Sequence, residues 1–257
     1  MTAYDSKLQL VMAMLALAAI ANADKPKQLN FPSASREAEE DYDRAEKAAH
    51  GDGVPQDYLT AARYYRRAAE RGYVRAQYAL ACLYEEGTGV PKDLGQAAVW
   101  YRKAADRGDA EAQNNLGVLY STGQGVPHND AEAVRLYGLA AAQGDLEGST
   151  NLGAMYLMGR GVECNLAQAF QLFKKAAESG YSVAQNNLAL MYANGQAVDR
   201  DYVLAYAWLE LAAVENEGAA ALRDRIGKEM TQAQIARARG IASQKREDLA
   251  QKARTVK

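Results

Sequence analysis

The chain has 257 residues, of which 49% are hydrophobic and 24% are charged, and its formal net charge at pH 7 is −2. This composition is that of an ordinary soluble protein and excludes a disordered chain. Because the net charge is close to zero, nothing in the overall balance indicates nucleic acid, and we expect no nucleic-acid partner.

Residues 1–23 have the pattern of a secretory signal peptide. Lys7 precedes an apolar run over residues 8–20, and Ala21-Asn22-Ala23 supplies the small residues that a signal peptidase accepts. The run is shorter than the ~20 apolar residues that a membrane span needs. We therefore expect cleavage and a periplasmic or secreted protein. Asp5 weakens the positive start, so an inner-membrane anchor is the alternative, and membrane contact is expected only if the leader stays uncleaved.

A four-residue phrase, Gly-x-Gly-Val, recurs every 36 residues. It begins at Gly51, Gly87, Gly123 and Gly159, and a fifth copy, at Gly195, has Ala197 in place of the second glycine. A fixed period of this length is the signature of a stacked-repeat solenoid. We divide the chain into a signal peptide (1–23), a linker (24–35), a degenerate first repeat acting as N-terminal cap (36–72), four repeats (73–108, 109–144, 145–180, 181–216) and C-terminal capping helices with a basic tail (217–257).

Each repeat predicts an inner helix before the phrase, such as residues 74–86, and an outer helix after it, such as residues 58–71. Residues suited to cap the outer helices share one column: Asp57, Asp93, Asn129, Asn165 and Asp201. In three repeats Gln96, Glu132 or Gln168 follows three residues later, as in a capping box. Glycines that can close a helix share another column: Gly72, Gly108, Gly144 and Gly180.

Apolar residues follow a helical period between these signals. Ala61, Tyr65, Ala68 and Ala69 form the stripe of the first outer helix, and the small alanines allow close helix packing. Large residues share a second column: Tyr64, Trp100, Leu136, Leu172 and Trp208. The inner helices repeat a leucine (Leu80, Leu116, Leu152, Leu188) and, four residues later, a tyrosine (Tyr84, Tyr120, Tyr156, Tyr192). We interpret all these columns as core.

The inner helices read Ala-Gln-x-Asn-Leu-Gly-x-x-Tyr, and the outer helices read Ala-x-x-Trp-Tyr-x-x-Ala-Ala-x-x-Gly. In these columns the chain resembles the Sel-1-like repeat family, relatives of tetratricopeptide repeats, over roughly residues 42–220. The resemblance implies an all-α, right-handed superhelical solenoid of helix pairs with a concave groove and a role in protein–protein assembly. Three positions depart from the pattern, namely Ala48, Ala197 and Asn216.

No pattern indicates catalysis, a metal or a cofactor. The glycine phrase follows a helix and lacks a third glycine, so it predicts a turn rather than a phosphate loop. His50 and His128 have no metal-ligand partner at helical spacing, and we expect Cys82 and Cys164 to be free because they fall in different columns. Some cysteine-rich secreted relatives have been linked to β-lactam binding or hydrolysis, but their paired cysteines are absent here.

By analogy with tetratricopeptide repeats, the inner helices line the groove. Three asparagines then form a ladder at 36-residue spacing: Asn115, Asn151 and Asn187, with Asn114 and Asn186 beside two of them. Carboxamides donate and accept hydrogen bonds, so the ladder could bind a peptide backbone or carboxylate. Arg75, Glu111 and Glu147 lie one turn earlier and would set the charge preference. The alternative is that these asparagines only serve packing.

The C-terminal segment begins with a further capping box, Thr231 to Gln234. It continues with an apolar stripe that can cover the last repeat: Ile235, Ala238, Ile241 and Ala242. From residue 223 to residue 257 it carries ten basic and four acidic residues. Such an end could attract an acidic lipid surface or partner, or form the polar cap of the last helix. We expect it to fray beyond Leu249.

Together these patterns predict an exported, monomeric, non-enzymatic scaffold or regulator that binds a protein or peptide in its groove. A cell-wall (peptidoglycan) binder or a β-lactam-type hydrolase on the same scaffold is the alternative. A third possibility is a membrane-tethered adaptor that uses the leader as its anchor.

Overall fold

The structure is a computed structural model that describes residues 35–214 and 216–255. The predicted signal peptide and nearly all of the predicted linker lie outside the described residues. The described residues form twelve helices and no strand. The helices are α1 (Arg36–His50), α2 (Tyr58–Glu70), α3 (Val74–Glu86), α4 (Leu94–Ala105), α5 (Ala110–Thr122), α6 (Asp130–Ala142), α7 (Leu146–Met158), α8 (Leu166–Ala177), α9 (Ser182–Asn194), α10 (Tyr202–Ala212), α11 (Glu217–Gly227) and α12 (Gln232–Thr255). This confirms the all-α fold class built from repeated helix pairs.

The described residues divide into two compact units, with the boundary inside α7 after Gly148. In the first unit, each helix from α1 to α5 packs against the next helix along the chain. In the second unit, α8 packs on α9 and α9 on α10, and α10 also contacts α11 and α12.

The outer helices begin where the sequence predicts. All five predicted cap residues have extended backbone conformations, and their side chains accept first-turn amides. The second hydrogen bond of a capping box, in which the backbone amide of the cap residue binds the Gln or Glu side chain, is replaced in this structure. The backbone amide of Asp93 donates to the carbonyl of Tyr84 at 2.9 Å, and the same bond joins Asn129 to Tyr120 at 3.0 Å. Because this amide already has a partner, Gln96 and Glu132 are not needed to satisfy it, and Glu132 instead pairs with Arg135.

The glycine phrase forms turns, as the sequence predicts. Its first glycine ends the inner helix in the left-handed conformation, for example at Gly87 with φ of 81°. Its second glycine also has a positive φ, which is 70° at Gly89. Ala197 adopts the same conformation at φ 64° and is the one non-glycine residue with positive φ in the described part of the chain.

Alanine columns lie at the centre of the first unit. Ala61, Ala68, Ala97 and Ala104 have no exposed surface. This lets neighbouring helix backbones approach closely, as predicted. In the large-residue column, three members are buried (Trp100, Leu136, Trp208) and two are half-buried (Tyr64, Leu172).

The inner-helix tyrosines lie at the edge of the core rather than inside it, and Tyr84 and Tyr120 pack against the buried cluster. Their leucine neighbours are buried at Leu80, Leu116 and Leu188, and half-buried at Leu152. The tyrosine column is half-buried throughout: Tyr84, Tyr120, Tyr156 and Tyr192. A phenol can place its ring on the core while its hydroxyl stays near the surface, where Arg66 and Arg102 donate hydrogen bonds to Tyr84 and Tyr120.

The last helix, α12, caps the second unit. Its start is a complete capping box, because Thr231 N donates to Gln234 Oε1 and Gln234 N donates to Thr231 Oγ1. Of the predicted stripe, Ala238 and Ala242 are fully buried, whereas Ile235 and Ile241 are half-buried. The helix continues to Thr255 instead of fraying after Leu249, and Lys252 Nζ donates to the carbonyl of Glu178. Part of the basic charge therefore binds helix C-termini, as expected of a cap.

Candidate functional site

The predicted site residues of the first unit belong to a hydrogen-bonded network on α3, α4, α5 and the start of α7, which we call the inner-helix network. Its centre is the buried Tyr101 hydroxyl, which donates to Glu85 Oε2 at 2.6 Å. Asn115 Nδ2 donates to the same hydroxyl at 3.2 Å, and Cys82 Sγ lies 3.3 Å from it. One phenol therefore joins three neighbouring helices.

The network extends from Tyr101 in two directions. Asn114 Nδ2 donates to Asn115 Oδ1 at 3.2 Å, and Asn114 also hydrogen-bonds to Glu147. Tyr78, whose ring centroid is 5.8 Å from that of Tyr101, hydrogen-bonds to Cys82 and Glu111. Three carboxylates, from α3, α5 and α7, thus have neutral hydrogen-bond partners.

Burial and mutual repulsion shift the titration of this network. Burial, with the nearby charge of Asp145 adding to it, raises the pKa of Glu147 to about 7, although the hydrogen bond from Asn114 opposes the shift. Burial likewise raises the pKa of Asp109 to about 6 and that of the Cys82 thiol to about 12. Cys82 is therefore a protonated thiol, not a nucleophile, at neutral pH.

The structure separates the predicted site residues by accessibility. Asn114 is 1% exposed and Asn115 is half-buried. Glu111 and Glu147 are half-buried, and Arg75 is exposed, with its guanidinium carbon 4.9 Å from the centroid of the Tyr42 ring. The inner-helix network therefore contains Asn115, Glu111 and Glu147. Arg75 instead lies against the ring of Tyr42.

The remaining site residues lie in the second unit. Asn151 and Asn186 are buried, and Asn187 on α9 is half-buried. Among the predicted asparagines, Asn115 and Asn187 therefore present the most surface to a partner.

Sequence reasoning missed the glutamine that precedes the asparagines. Gln77, Gln113 and Gln185 are buried, and each Nε2 donates to a last-turn carbonyl of the preceding outer helix, at Ala69, Ala105 and Ala177. Each carbonyl also accepts a backbone amide, from Gly72, Gly108 or Gly180, so the glutamine adds a second hydrogen bond at the helix C-terminus. The recurring Ala-Gln pair at 36-residue spacing was the available signal. Tyr78 and Tyr101 were also missed as site residues, since their columns read as core.

Within residues 35–214 and 216–255, no group of three His, Cys, Asp or Glu side chains is arranged to hold a metal ion. No helix of this part of the chain is both long and apolar enough to cross a membrane. Cys82 and Cys164 are free, as predicted.

These repeated helix pairs define an α-solenoid repeat protein. The model of the Sel1 repeat matches five segments: 48–73, 74–109, 110–145, 147–181 and 182–213. The chain belongs to the Sel1 repeat family. Proteins of this family are generally non-enzymatic scaffolds that bind protein partners.

Solved structures agree with this assignment. A protective antigen of uropathogenic Escherichia coli strains with an SLR fold is 36% identical, with a TM-score of 0.79 over 84% of this chain. The match covers 47% of that protein, so this chain spans about half of its length. A Sel1 repeat protein from Oxalobacter formigenes is 28% identical, with a TM-score of 0.74 over 93% of this chain and 95% of its own. No curated protein matches the chain.

Proposed function

We propose that the chain is an exported, non-enzymatic scaffold or regulator that binds a protein or peptide through the polar face of its inner helices. The observation that carries the proposal is the inner-helix network, in which Asn115 and three half-buried glutamates are joined through Tyr78, Tyr101 and Asn114. Preorganised side chains lose little entropy on binding, so such a face suits an extended peptide.

The charge of this face indicates the chemistry of the partner. Glu85, Glu111 and Glu147 are hydrogen-bonded to neutral groups, namely Tyr101, Tyr78 and Asn114. A lysine or arginine of a partner would supply the missing counter-charge and allow Glu147 to ionise fully. We therefore expect a partner segment that carries basic residues.

In-cell crosslinking through a C-terminal tag, followed by mass spectrometry, tests the binding face. The variant combines Asn115→Ala and Asn187→Ala, since the other asparagines are buried and their loss would test folding. The control combines Arg63→Ala and Lys175→Ala, both exposed on outer helices. A dominant partner that is lost in the variant and kept in the control supports the proposal. Its retention in both excludes this face.

Export is the second part of the proposal and depends on residues 1–23. We expect mature protein that begins at Asp24 in the periplasm or the medium, which mass spectrometry of cell fractions measures. An intact N-terminus in the cytosol would contradict export but not scaffolding. Resistance to carbonate extraction would favour the inner-membrane anchor instead.

The alternative function is a cell-wall (peptidoglycan) binder or a β-lactam-type hydrolase. Nitrocefin turnover, or retention of the purified protein on peptidoglycan, would favour it.

A further inference from the structure

We propose that the outer helices of the first unit form a second binding surface, which takes an acidic segment of a partner protein that also carries aliphatic residues. This surface, the outer basic face, consists of the same three positions on each of α2, α4 and α6. The positions are spaced i, i+3 and i+4, so they lie on one side of each helix. None of them belongs to the inner-helix network, so the two surfaces can fail independently.

The nine positions of the outer basic face carry no acidic residue. Six of them are basic: Arg63, Arg66, Arg67, Arg102, Lys103 and Arg135. Val99, Gly138 and Leu139 fill the other three, and seven of the nine residues are exposed. The inner helices have the opposite balance, because α1, α3 and α5 carry six, two and one acidic residues against three, one and no Lys or Arg. The first unit therefore separates its charges between the inner helices and the outer face.

Three cations of the face are held by aromatic groups rather than by carboxylates. The pairs are Arg66 with the Tyr84 hydroxyl, Arg102 with the Tyr120 hydroxyl, and Lys103 with the Trp100 ring, whose centroid lies 3.7 Å from Nζ. These contacts restrict the side chains without neutralising their charge. Less side-chain entropy is therefore lost when the cations bind a carboxylate.

Two other cations of the face are already paired with carboxylates. Arg67 Nε lies 3.3 Å from Asp41 Oδ2, and Arg135 Nη2 lies 2.7 Å from Glu132 Oε1. Glu132 also interacts with Arg102, through charge alone. The positive charge that is open to a ligand therefore lies mainly on α2 and α4.

The remaining acidic side chains of these helices lie towards their ends. They are Asp57, Asp93 and Asp130 at the starts of the three helices, and Glu70 and Asp106 at the ends of α2 and α4. Asp57 and Asp93 are cap residues whose side chains accept first-turn amides. An incoming carboxylate therefore meets positive potential at the centre of the face, between these ends.

The aliphatic residues favour a protein partner over a lipid surface. Val99 is 46% exposed and stands between Arg63 and Arg135 in its column, and Leu139 is 41% exposed and shares its column with Lys103. Helices that bind a bilayer surface separate their apolar side from their charged side, whereas here the two are interspersed. A protein segment can place an aliphatic residue on Val99 and carboxylates on the surrounding guanidinium groups, whose forked donors match a carboxylate.

The test uses the full chain and an acetylated, amidated peptide made of two copies of Leu-Glu-Glu-Ala-Leu-Glu-Glu. One analogue has lysine in place of glutamate, and another has serine in place of leucine. We expect the acidic peptide to shift the ¹H–¹⁵N resonances of Val99 and Leu139 and to bind more weakly as NaCl is raised. The serine analogue should bind about tenfold more weakly, and the lysine analogue should leave these resonances unshifted. No binding of the acidic peptide, or equal shifts with the lysine analogue, overturns the proposal.

The combined variant Val99→Glu and Leu139→Glu places like charges in the face at two exposed positions. It should weaken the acidic peptide about tenfold or more through repulsion and loss of apolar contact. Ala167→Glu with Ala236→Glu adds the same charge at exposed positions of the second unit and should leave the affinity unchanged. Unchanged affinity in the first variant, or equal losses in both, would contradict the proposal.

Two further outcomes separate the partner classes. Cosedimentation with phosphatidylglycerol vesicles that the Val99→Glu and Leu139→Glu variant weakens, without binding of the acidic peptide, would assign the face to lipid and overturn the protein assignment. In the crosslinking experiment, a partner that is lost with Arg63→Ala and Lys175→Ala but kept in the asparagine variant would support the outer face, because Arg63 belongs to it.

Discussion

Gly89 packs directly against the backbone of Tyr58, so that a β-carbon on Gly89 would lie 2.2 Å from the Tyr58 carbonyl oxygen. The same contact joins Gly125 to Leu94, where the corresponding distance is 2.3 Å. The second glycine of the phrase thus lets the turn of one repeat rest on the first residue of the preceding outer helix. This close approach between adjacent repeats explains the glycine better than conformational freedom alone.

Gly89→Ala should therefore lower the free energy of unfolding by about 3 kcal/mol or more, since a clash with backbone adds to the strain at φ of 70°. Gly53→Ala is the matched control, because Gly53 has φ of 72° but no atom within 4 Å of the added carbon. It should cost about 1 kcal/mol from strain alone. Urea unfolding measures both, and equal losses would show that the contact with Tyr58 is unimportant.

Ala197→Gly should stabilise the protein. Alanine at φ of 64° costs about 1–2 kcal/mol of backbone strain, which glycine removes. Glycine also raises the conformational entropy of the unfolded chain, and this offsets part of the gain. We expect a net gain of about 0.5–1 kcal/mol in urea unfolding. Ala236→Gly, at an exposed position inside α12, should instead cost about 1 kcal/mol. A loss at both positions would contradict the strain at Ala197.

Asp41 anchors the first helix to the second. Its side chain is 3% exposed and lies 3.3 Å from Arg67 and 3.1 Å from Arg71. Asp41→Ala should cost about 2 kcal/mol, because two arginines lose their buried partner. Glu37→Ala removes a 77% exposed partner of Arg71 and should cost less than about 0.5 kcal/mol. Thermal unfolding measures the stability of the two variants. An equal cost for Glu37→Ala and Asp41→Ala would show that burial of the carboxylate does not strengthen its pairing with arginine.

Glu147 should make stability depend on pH. Its pKa is about 7 in the folded protein against an ordinary 4.5, so the folded chain holds this proton more tightly than the unfolded chain between these values. The free energy of unfolding therefore falls as pH rises from about 4.5 to about 7, and the penalty is complete above that window. Glu147→Gln should be more stable than wild type by about 1–2 kcal/mol at pH 8 and equal to it at pH 4.

Glu132→Gln provides a control of opposite sign. The hydrogen bonds from Arg135 lower the pKa of Glu132, so its ionised form contributes stability that is present above the ordinary pKa and lost as pH falls. Its replacement should cost a few tenths of a kcal/mol, roughly 0.3, at pH 8. If both variants lose stability at pH 8, the repulsive environment of Glu147 is not supported.

The two cysteines should differ in reactivity. Cys164 is exposed, whereas burial raises the pKa of Cys82 to about 12, so Cys82 holds very little thiolate at pH 8. Titration of the native protein with a disulfide reagent should release one equivalent quickly and the second only after denaturation. In Cys164→Ser the fast phase should disappear. A fast phase that survives in this variant would show that Cys82 is accessible and ionised.

Local features were predictable from the sequence. The caps at Asp93 and Asn129 and the turn at Gly87 depend on residues within a few positions, and the 36-residue period repeats each signal. Features that involve the neighbouring helix were harder to predict from the sequence. The reciprocal capping bond of Glu132 was expected and is replaced, since the amide of Asn129 reaches the carbonyl of Tyr120 across the turn.

The candidate site shows the same division. Asn115 and Glu147 were selected by their spacing, but their connection through Asn114 was not predicted, because a column position does not show which side chain is buried. Tyr78 and Tyr101 read as core, yet their hydroxyls hydrogen-bond to glutamates. An aromatic residue has one apolar and one polar end, and the sequence does not show where the polar end lies.

The sequence by itself determined the helix pairs, their length, their turns and the family, because the period, caps and glycines act over short distances and recur in every repeat. Only the tertiary structure decided which polar groups are buried together. The raised pKa of Glu147 depends in part on charges and a hydrogen bond from other helices, at Glu85, Glu111 and Asn114. Desolvation and hydrogen-bond satisfaction are properties of a packed environment, and a column of residue types does not contain them.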